Sequence, residues 1–234
     1  MKEKLVVLTM LVVCAVLTSQ AGANITITPD MGKYWTDQTW DFSTAPTAGW
    51  SGIAADAGFI NANGTPTVSV AAQKINPPDL VTGPQWEDAG VGGSVYASPQ
   101  MELELWIPNI PDESLHKIVQ VEIWYHICVV GPTHGYQYAW ATGTKPDGTV
   151  EGPFSPVVLS DTDSDGDHWF DLTLEFNMPQ DYDWETITVV LNDSGVHVDS
   201  IRVATICVPA PGAMLLGSLG VGLVGWIRTR KVFA

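Results

Sequence analysis

The chain has 234 residues, enough for one ordinary domain or two small ones. Ten Lys and Arg stand against 26 Asp and Glu, a formal net charge of −16, which argues against nucleic acid and anionic membrane surfaces as partners because neutralising phosphates needs clustered cations. With 45% hydrophobic residues, ten Trp, six Tyr and six Phe, the chain is also far from a disordered acidic tail.

Residues 1–23 carry Lys2 and Lys4, then an apolar run over 5–17, and close on Ala21 and Ala23 in A-x-A order. That is the make-up of a cleaved secretory signal peptide, and the run is too short for a bilayer core of about 30 Å. Residues 24–207 follow as one domain. A short helix is expected within 51–60. Elsewhere the apolar residues alternate, and Pro or Gly interrupts most windows, so strands are expected at 67–75, 100–107, 117–130, 135–142, 168–177, 186–191 and 196–207. In the strand at 135–142, Tyr136, Tyr138 and Trp140 fall on one face by alternation; at 168–177 Phe170, Leu172, Leu174 and Phe176 oppose Trp169, Asp171, Thr173 and Glu175. Many short strands with turn residues between them predict an all-β, antiparallel β-sandwich of jelly-roll type. Val198 to Val203 spell V-D-S-I-R-V, a phrase that resembles the closing strand of many extracellular jelly-roll and carbohydrate-binding modules, and this resemblance bears on architecture.

Glu102, Glu104 and Trp106 share one strand face, as do Glu122, Trp124 and His126 on another. If those strands are neighbours, Trp platforms lie beside acids, as in sugar-binding or sugar-cleaving sheets. The plainer reading, which alternation alone favours, is that the acids face solvent while the Trp rings pack under loops. No pairing of residues specifies a general acid and base, so no catalytic residue is assigned. The five His, at 116, 126, 134, 168 and 197, have neither H-x-H nor H-E-x-x-H spacing, so no zinc site is indicated.

Asp161, Asp163, Asp165 and Asp167, with Gly166, form a D-x-D-x-D-G pattern that presents alternating hard oxygens to a cation such as Ca2+. The twelfth position of a full EF-hand loop, where a bidentate Glu belongs, is Leu172, and the segment after the loop reads as a strand. A solvated acidic turn is the equal alternative. Cys128 and Cys207 are the cysteines left once the signal peptide is removed; a disulfide between them and two separate buried thiols are both open.

The C-terminus combines Pro209 and Pro211 in a Pro-x-Pro motif, a Gly-rich apolar stretch at 212–227, and Arg228, Arg230 and Lys231 close to the end. At about 1.5 Å per residue such a helix is near 24 Å, short but able to insert, with its basic tail left in the cytoplasm. These three features over residues 208–234 resemble the PEP-CTERM sorting signal of bacterial exosortase substrates, departing from its commonest form at Ala210, where Glu is usual. The resemblance implies an exosortase-type processing enzyme as partner and a transient hold in the inner membrane, followed by release to the cell surface or extracellular matrix. An ordinary single-pass anchor is the alternative. Residues 24–208 hold five basic and 25 acidic side chains, net −20, so the expected exported domain is more acidic than the chain as a whole. The expected function is a non-enzymatic surface or matrix protein, with calcium or extracellular polysaccharide as candidate ligands. The alternative is a secreted polysaccharide-active hydrolase on a jelly-roll scaffold, using Glu102, Glu104 or Glu122.

Overall fold

The computed structural model describes residues 35–209 apart from 47–48, 57–60, 62, 74–81, 89–92, 99, 110, 113–114, 129–134, 164–165 and 193–194. Every regular element among the described residues longer than a turn is a strand, and the strands form two antiparallel sheets. The first is built from β1 (Trp35–Asp41), β4 (Thr82–Asp88), β5 (Gly93–Ser98), β7 (Leu115–Ile127), β10 (Val157–Thr162), β11 (Trp169–Met178) and β13 (Val196–Pro209). Its order is β10-β11-β7-β13-β5-β4, with β1 also on β13. The second takes β2 (Ile53–Ala54), β3 (Thr67–Gln73), β6 (Gln100–Pro108), β8 (Gly135–Thr144), β9 (Val150–Phe154) and β12 (Trp184–Asn192), in the order β2-β3-β6-β12-β8-β9. The expected antiparallel sandwich is present. The short helix expected within 51–60 is not found at Ile53–Ala54, which pair instead with Val68 and Thr67 of β3.

Strict alternation explains how the sheets face each other. Val119, Val121, Ile123, Tyr125 and Ile127 of β7, and Leu172, Leu174, Phe176 and Met178 of β11, are buried on one sheet. They meet Met101, Leu103, Leu105 and Ile107 of β6 and Ile187, Val189 and Leu191 of β12 from the other. Each such side chain contributes about 1.5–3 kcal/mol on burial. Strand β13 runs the length of its sheet and changes partner along one edge: Val196–Val198 pair with β5, and Ser200–Ile206 pair with β1. The register shift between Val198 and Ser200 falls at that change.

Alternation also fails in β8. A register shift between Val190 and Leu191 turns Tyr136 inward against the core, while Tyr138 stays outside, 51% exposed, next to Trp140. Tyr136, Tyr138 and Trp140 therefore do not share one face.

One end of the sandwich holds a buried polar cluster. Lys117 points inward from β7, fully buried, and its Nζ lies 3.1 Å from Asp181 and 3.1 Å from both carboxylate oxygens of Glu185 on the facing sheet. Asn109 Nδ2 donates to Glu185, and the Cys207 thiol lies 3.3 Å from Asp181. Burial, then the charge of Asp181, pushes the Glu185 carboxyl up to about 7 against the pull of Lys117. For Lys117 burial works against the charge, but Glu185 and Asp181 outweigh it and hold the ammonium above its ordinary range.

Candidate functional site

A shallow groove of about 490 Å³ opens on the outer face of the seven-stranded sheet, lined by Thr39, Glu122, Trp124, Asp171, Ser200 and Arg202 among others. The register assembles it in two rows. Thr173, Glu122, Arg202 and Thr39 lie side by side across β11, β7, β13 and β1, and Asp171, Trp124, Ser200 and Asp41 form the next row. Ser200 and Asp171 are short, so the indole of Trp124 is left 43% exposed, leaning on Trp169 with ring centroids 5.1 Å apart. Arg202 Nε and Nη2 donate to Asp37 at 3.0 and 3.1 Å, and Nη1 donates to Glu122 at 3.1 Å. Asp37 first, then Glu122, holds the guanidinium charge more firmly than in water. The arrangement is one flat apolar ring surrounded by fixed donors, acceptors and hydroxyls, suited to a ligand with an apolar face and a rim of hydroxyl groups.

The acids of β6 lie elsewhere. Glu102, Glu104 and Trp106 are on the outer face of the six-stranded sheet, with Trp106 beside Trp184 at 6.3 Å and Tyr138 stacked on Trp140 at 5.7 Å. The single face combining them with Glu122, Trp124 and His126 does not exist, because β6 and β7 belong to opposite sheets and these side chains point away from each other across the core. Glu102 or Glu104 therefore cannot serve with Glu122 as a glycosidase pair, which needs both carboxyls on one side at no more than about 9.5 Å.

The acidic turn is only partly described, since Asp165 lies outside the described residues. Asp161, an exposed residue of the edge strand β10, accepts from the Tyr125 hydroxyl at 2.9 Å; partial burial raises its carboxyl and this bond opposes the rise. Asp163 accepts from the backbone N–H of Gly166 at 2.6 Å and of His168 at 3.1 Å, and Asp167 accepts from that of Trp169 at 3.0 Å. The carboxylates of Asp163 and Asp167 thus cap the turn, and that of Asp161 is engaged by Tyr125. The sorting residues Pro211, Arg228, Arg230 and Lys231, the signal peptide and the apolar stretch at 212–227 lie outside the described residues; Pro209 ends β13. No helix among the described residues is long and apolar enough to cross a membrane.

The disulfide between Cys128 and Cys207 is not formed. Cys207 stands opposite Lys117 near the start of β7, whereas Cys128 follows the end of that strand. At about 3.3 Å per residue the whole strand separates them, far beyond the ~7 Å that a disulfide spans. Cys207 is partly buried and burial, first of several causes, pushes its thiol up to about 12; Cys128 is exposed.

Spacing along the chain missed one group altogether. His126 of β7 is directly opposite His197 of β13, flanked by Trp169 of β11 and Tyr96 of β5, and Cys128 comes two residues after His126. One ligand atom from each of His126, Cys128 and His197 lies within 4.8 Å of the others. Only cross-strand register brings them together, so no sequence motif marks them.

No protein-family model and no curated protein matches the sequence. Among solved structures, the chain is similar to the xylan-binding CBM22-1 domain of Xyn10C from Paenibacillus barcinonensis, at 12% identity over 74% of this chain and 94% of that one, with a TM-score of 0.36. It is also similar to the N-terminal CBM22-1-CBM22-2 tandem domain of the same protein, at 13% identity over 81% and 49%, TM-score 0.39. A third likeness is to the K1 cleaved adhesin domain of Lys-gingipain from Porphyromonas gingivalis, at 14% identity over 72% and 97%, TM-score 0.31. At these values the likenesses establish no family and carry no functional argument.

Proposed function

We propose that this chain is an exported, non-enzymatic glycan-binding protein on a jelly-roll β-sandwich, delivered to the cell surface or extracellular matrix by an exosortase-type system. The observation that carries the binding reading is the groove around Trp124, where an exposed indole is framed by Glu122, Asp171, Ser200, Thr39 and the ion-paired Arg202. A sugar ring laid on the indole buries its apolar face while its hydroxyls meet fixed donors and acceptors. The surrounding carboxylates repel anionic chains, so the ligand class is an uncharged polysaccharide. Two features weigh against a hydrolase: Glu122 is engaged by Arg202, and the acids of β6 are on the other side of the molecule.

Affinity electrophoresis of the exported protein through gels containing xylan, mannan, β-glucan or alginate tests the reading. One of the neutral polymers is expected to retard it, and Trp124→Ala is expected to weaken that retardation about tenfold or more, a loss of about 1.4 kcal/mol or greater, with an unchanged circular dichroism spectrum. Equal mobility in every gel, or retardation indifferent to Trp124→Ala, overturns it. Sorting is tested by the intact mass of the exported protein, expected to lack the residues beyond the Pro-x-Pro motif; a full-length mass overturns processing.

A further inference from the structure

The geometry points to a transition-metal site at His126, Cys128 and His197, with zinc as the ion it fits best. It lies one row beyond the groove on the same sheet face and does not depend on the glycan reading. The two imidazoles are a directly opposed pair on β7 and β13, and the thiol follows on the loop leaving β7, with the three ligand atoms within 4.8 Å of one another. Tetrahedral zinc, with bonds of about 2.3 Å to sulfur and about 2.0–2.1 Å to nitrogen, needs its ligands about 3.3–3.6 Å apart. The atoms must therefore close by about an ångström. Cys128 is exposed and stands past the last paired residue of β7, so rotation of its side chain supplies much of that closure.

Three further features prepare the site. Fully buried Ser94 places its Oγ 3.2 Å from His197 Nδ1, a contact that fixes the ring, the outer-layer support that metal-bound histidines commonly have. The Cys128 backbone N–H donates to the Gly195 carbonyl at 3.2 Å, and a Cβ on Gly195 would sit 3.1 Å from the Cys128 Sγ and 2.8 Å from the Tyr96 ring. A glycine thus keeps open the space that the thiol occupies. Trp169 lies 5.2 Å from His126, and Tyr96 lies 4.9 Å from His197, so aromatic rings wall the imidazoles on both sides.

Two nitrogens and one sulfur, with no oxygen among them, are poor ligands for calcium or magnesium and good ones for zinc. Three protein ligands leave a fourth position for water or for a donor from another molecule. Bound there, the ion would clip the end of β7 to the start of β13.

The full chain in mild detergent, reduced and stripped of metal, is titrated with Co2+. A sulfur-to-cobalt charge-transfer band and visible bands of tetrahedral intensity are expected to saturate at one equivalent, to be bleached by one equivalent of Zn2+, and to be untouched by excess Ca2+. Cys128→Ser should remove the charge-transfer band, and Ser94→Ala should weaken zinc about tenfold or more through the freed His197 ring. A readout independent of any variant's folding is alkylation of Cys128 in the wild type, which zinc should slow and a chelator restore. Absence of the charge-transfer band, its persistence in Cys128→Ser, or alkylation indifferent to zinc each overturns the site.

Discussion

Replacing Lys117 by Met tests the buried cluster, because the ammonium lies 3.1 Å from Asp181 and from Glu185 and is itself fully buried. Even with Lys117 present, burial holds the Glu185 carboxyl at about 7 against an ordinary 4.5. At 1.36 kcal/mol per unit, that difference is a proton-linked penalty of about 3 kcal/mol. Its sign follows from linkage: the folded state binds this proton more tightly than the unfolded state, so stability falls as pH rises from about 4.5 through about 7 and is flat above that. Lys117, whose pKa is raised, contributes stability that is present below 10.5 and lost only in more alkaline solution, outside this window. Removing the ammonium leaves two buried acids without their counter-charge, at a cost of about 3–5 kcal/mol for a broken buried pair. The loss should be full at pH 8 and clearly smaller at pH 5, where Glu185 of the variant takes up a proton. Urea unfolding followed by Trp fluorescence at both pH values measures it, with Glu185→Gln as a companion expected to flatten the wild-type decline between pH 5 and 8. A Lys117→Met loss under about 1 kcal/mol, or one equal at the two pH values, would refute the reasoning.

Two other substitutions address packing and the acidic turn. Gly143→Ala places a methyl group in the ring of Tyr182, which is fully buried and donates to Glu151 at 2.9 Å. A loss of about 3 kcal/mol is expected, and a melting temperature within a degree or two of wild type would mean that the ring has room to move. Tyr125→Phe removes the donor to Asp161 and the acceptor for the Tyr136 backbone N–H. Asp161, already raised by burial, rises further, so a loss of about 2 kcal/mol at pH 7 should shrink by pH 4; a loss independent of pH would assign the effect to packing alone.

Much of the architecture is legible in the sequence. Regular alternation placed the strands at 100–107, 168–177 and 186–191 within a few residues of β6, β11 and β12, because each buries one face over its full length. Alternation does not mark strands β1, β2, β4, β5, β9 or β10. The sequence of β4 includes a Pro and four polar or acidic side chains, and β9 is mostly exposed, so neither shows a clear apolar period. Tyr136 was misplaced because a bulge, which leaves no signal in composition, reverses the alternation between it and Tyr138.

The sequence by itself determined the fold class, and it carries the terminal patterns on which the proposal of export rests. Composition and short-range periodicity are local properties, and alternation alone separates an inward from an outward side chain. Tertiary structure alone decided which outward faces coincide. It set Glu102 and Glu104 on one side of the core and Glu122 on the other, and put Cys128 and Cys207 at opposite ends of β7. It aligned Trp124 with Asp171 and Ser200, and His126 with His197, across strands distant in sequence. Strand order and register come from long-range pairing, and a site built across a sheet is visible only once that pairing is known.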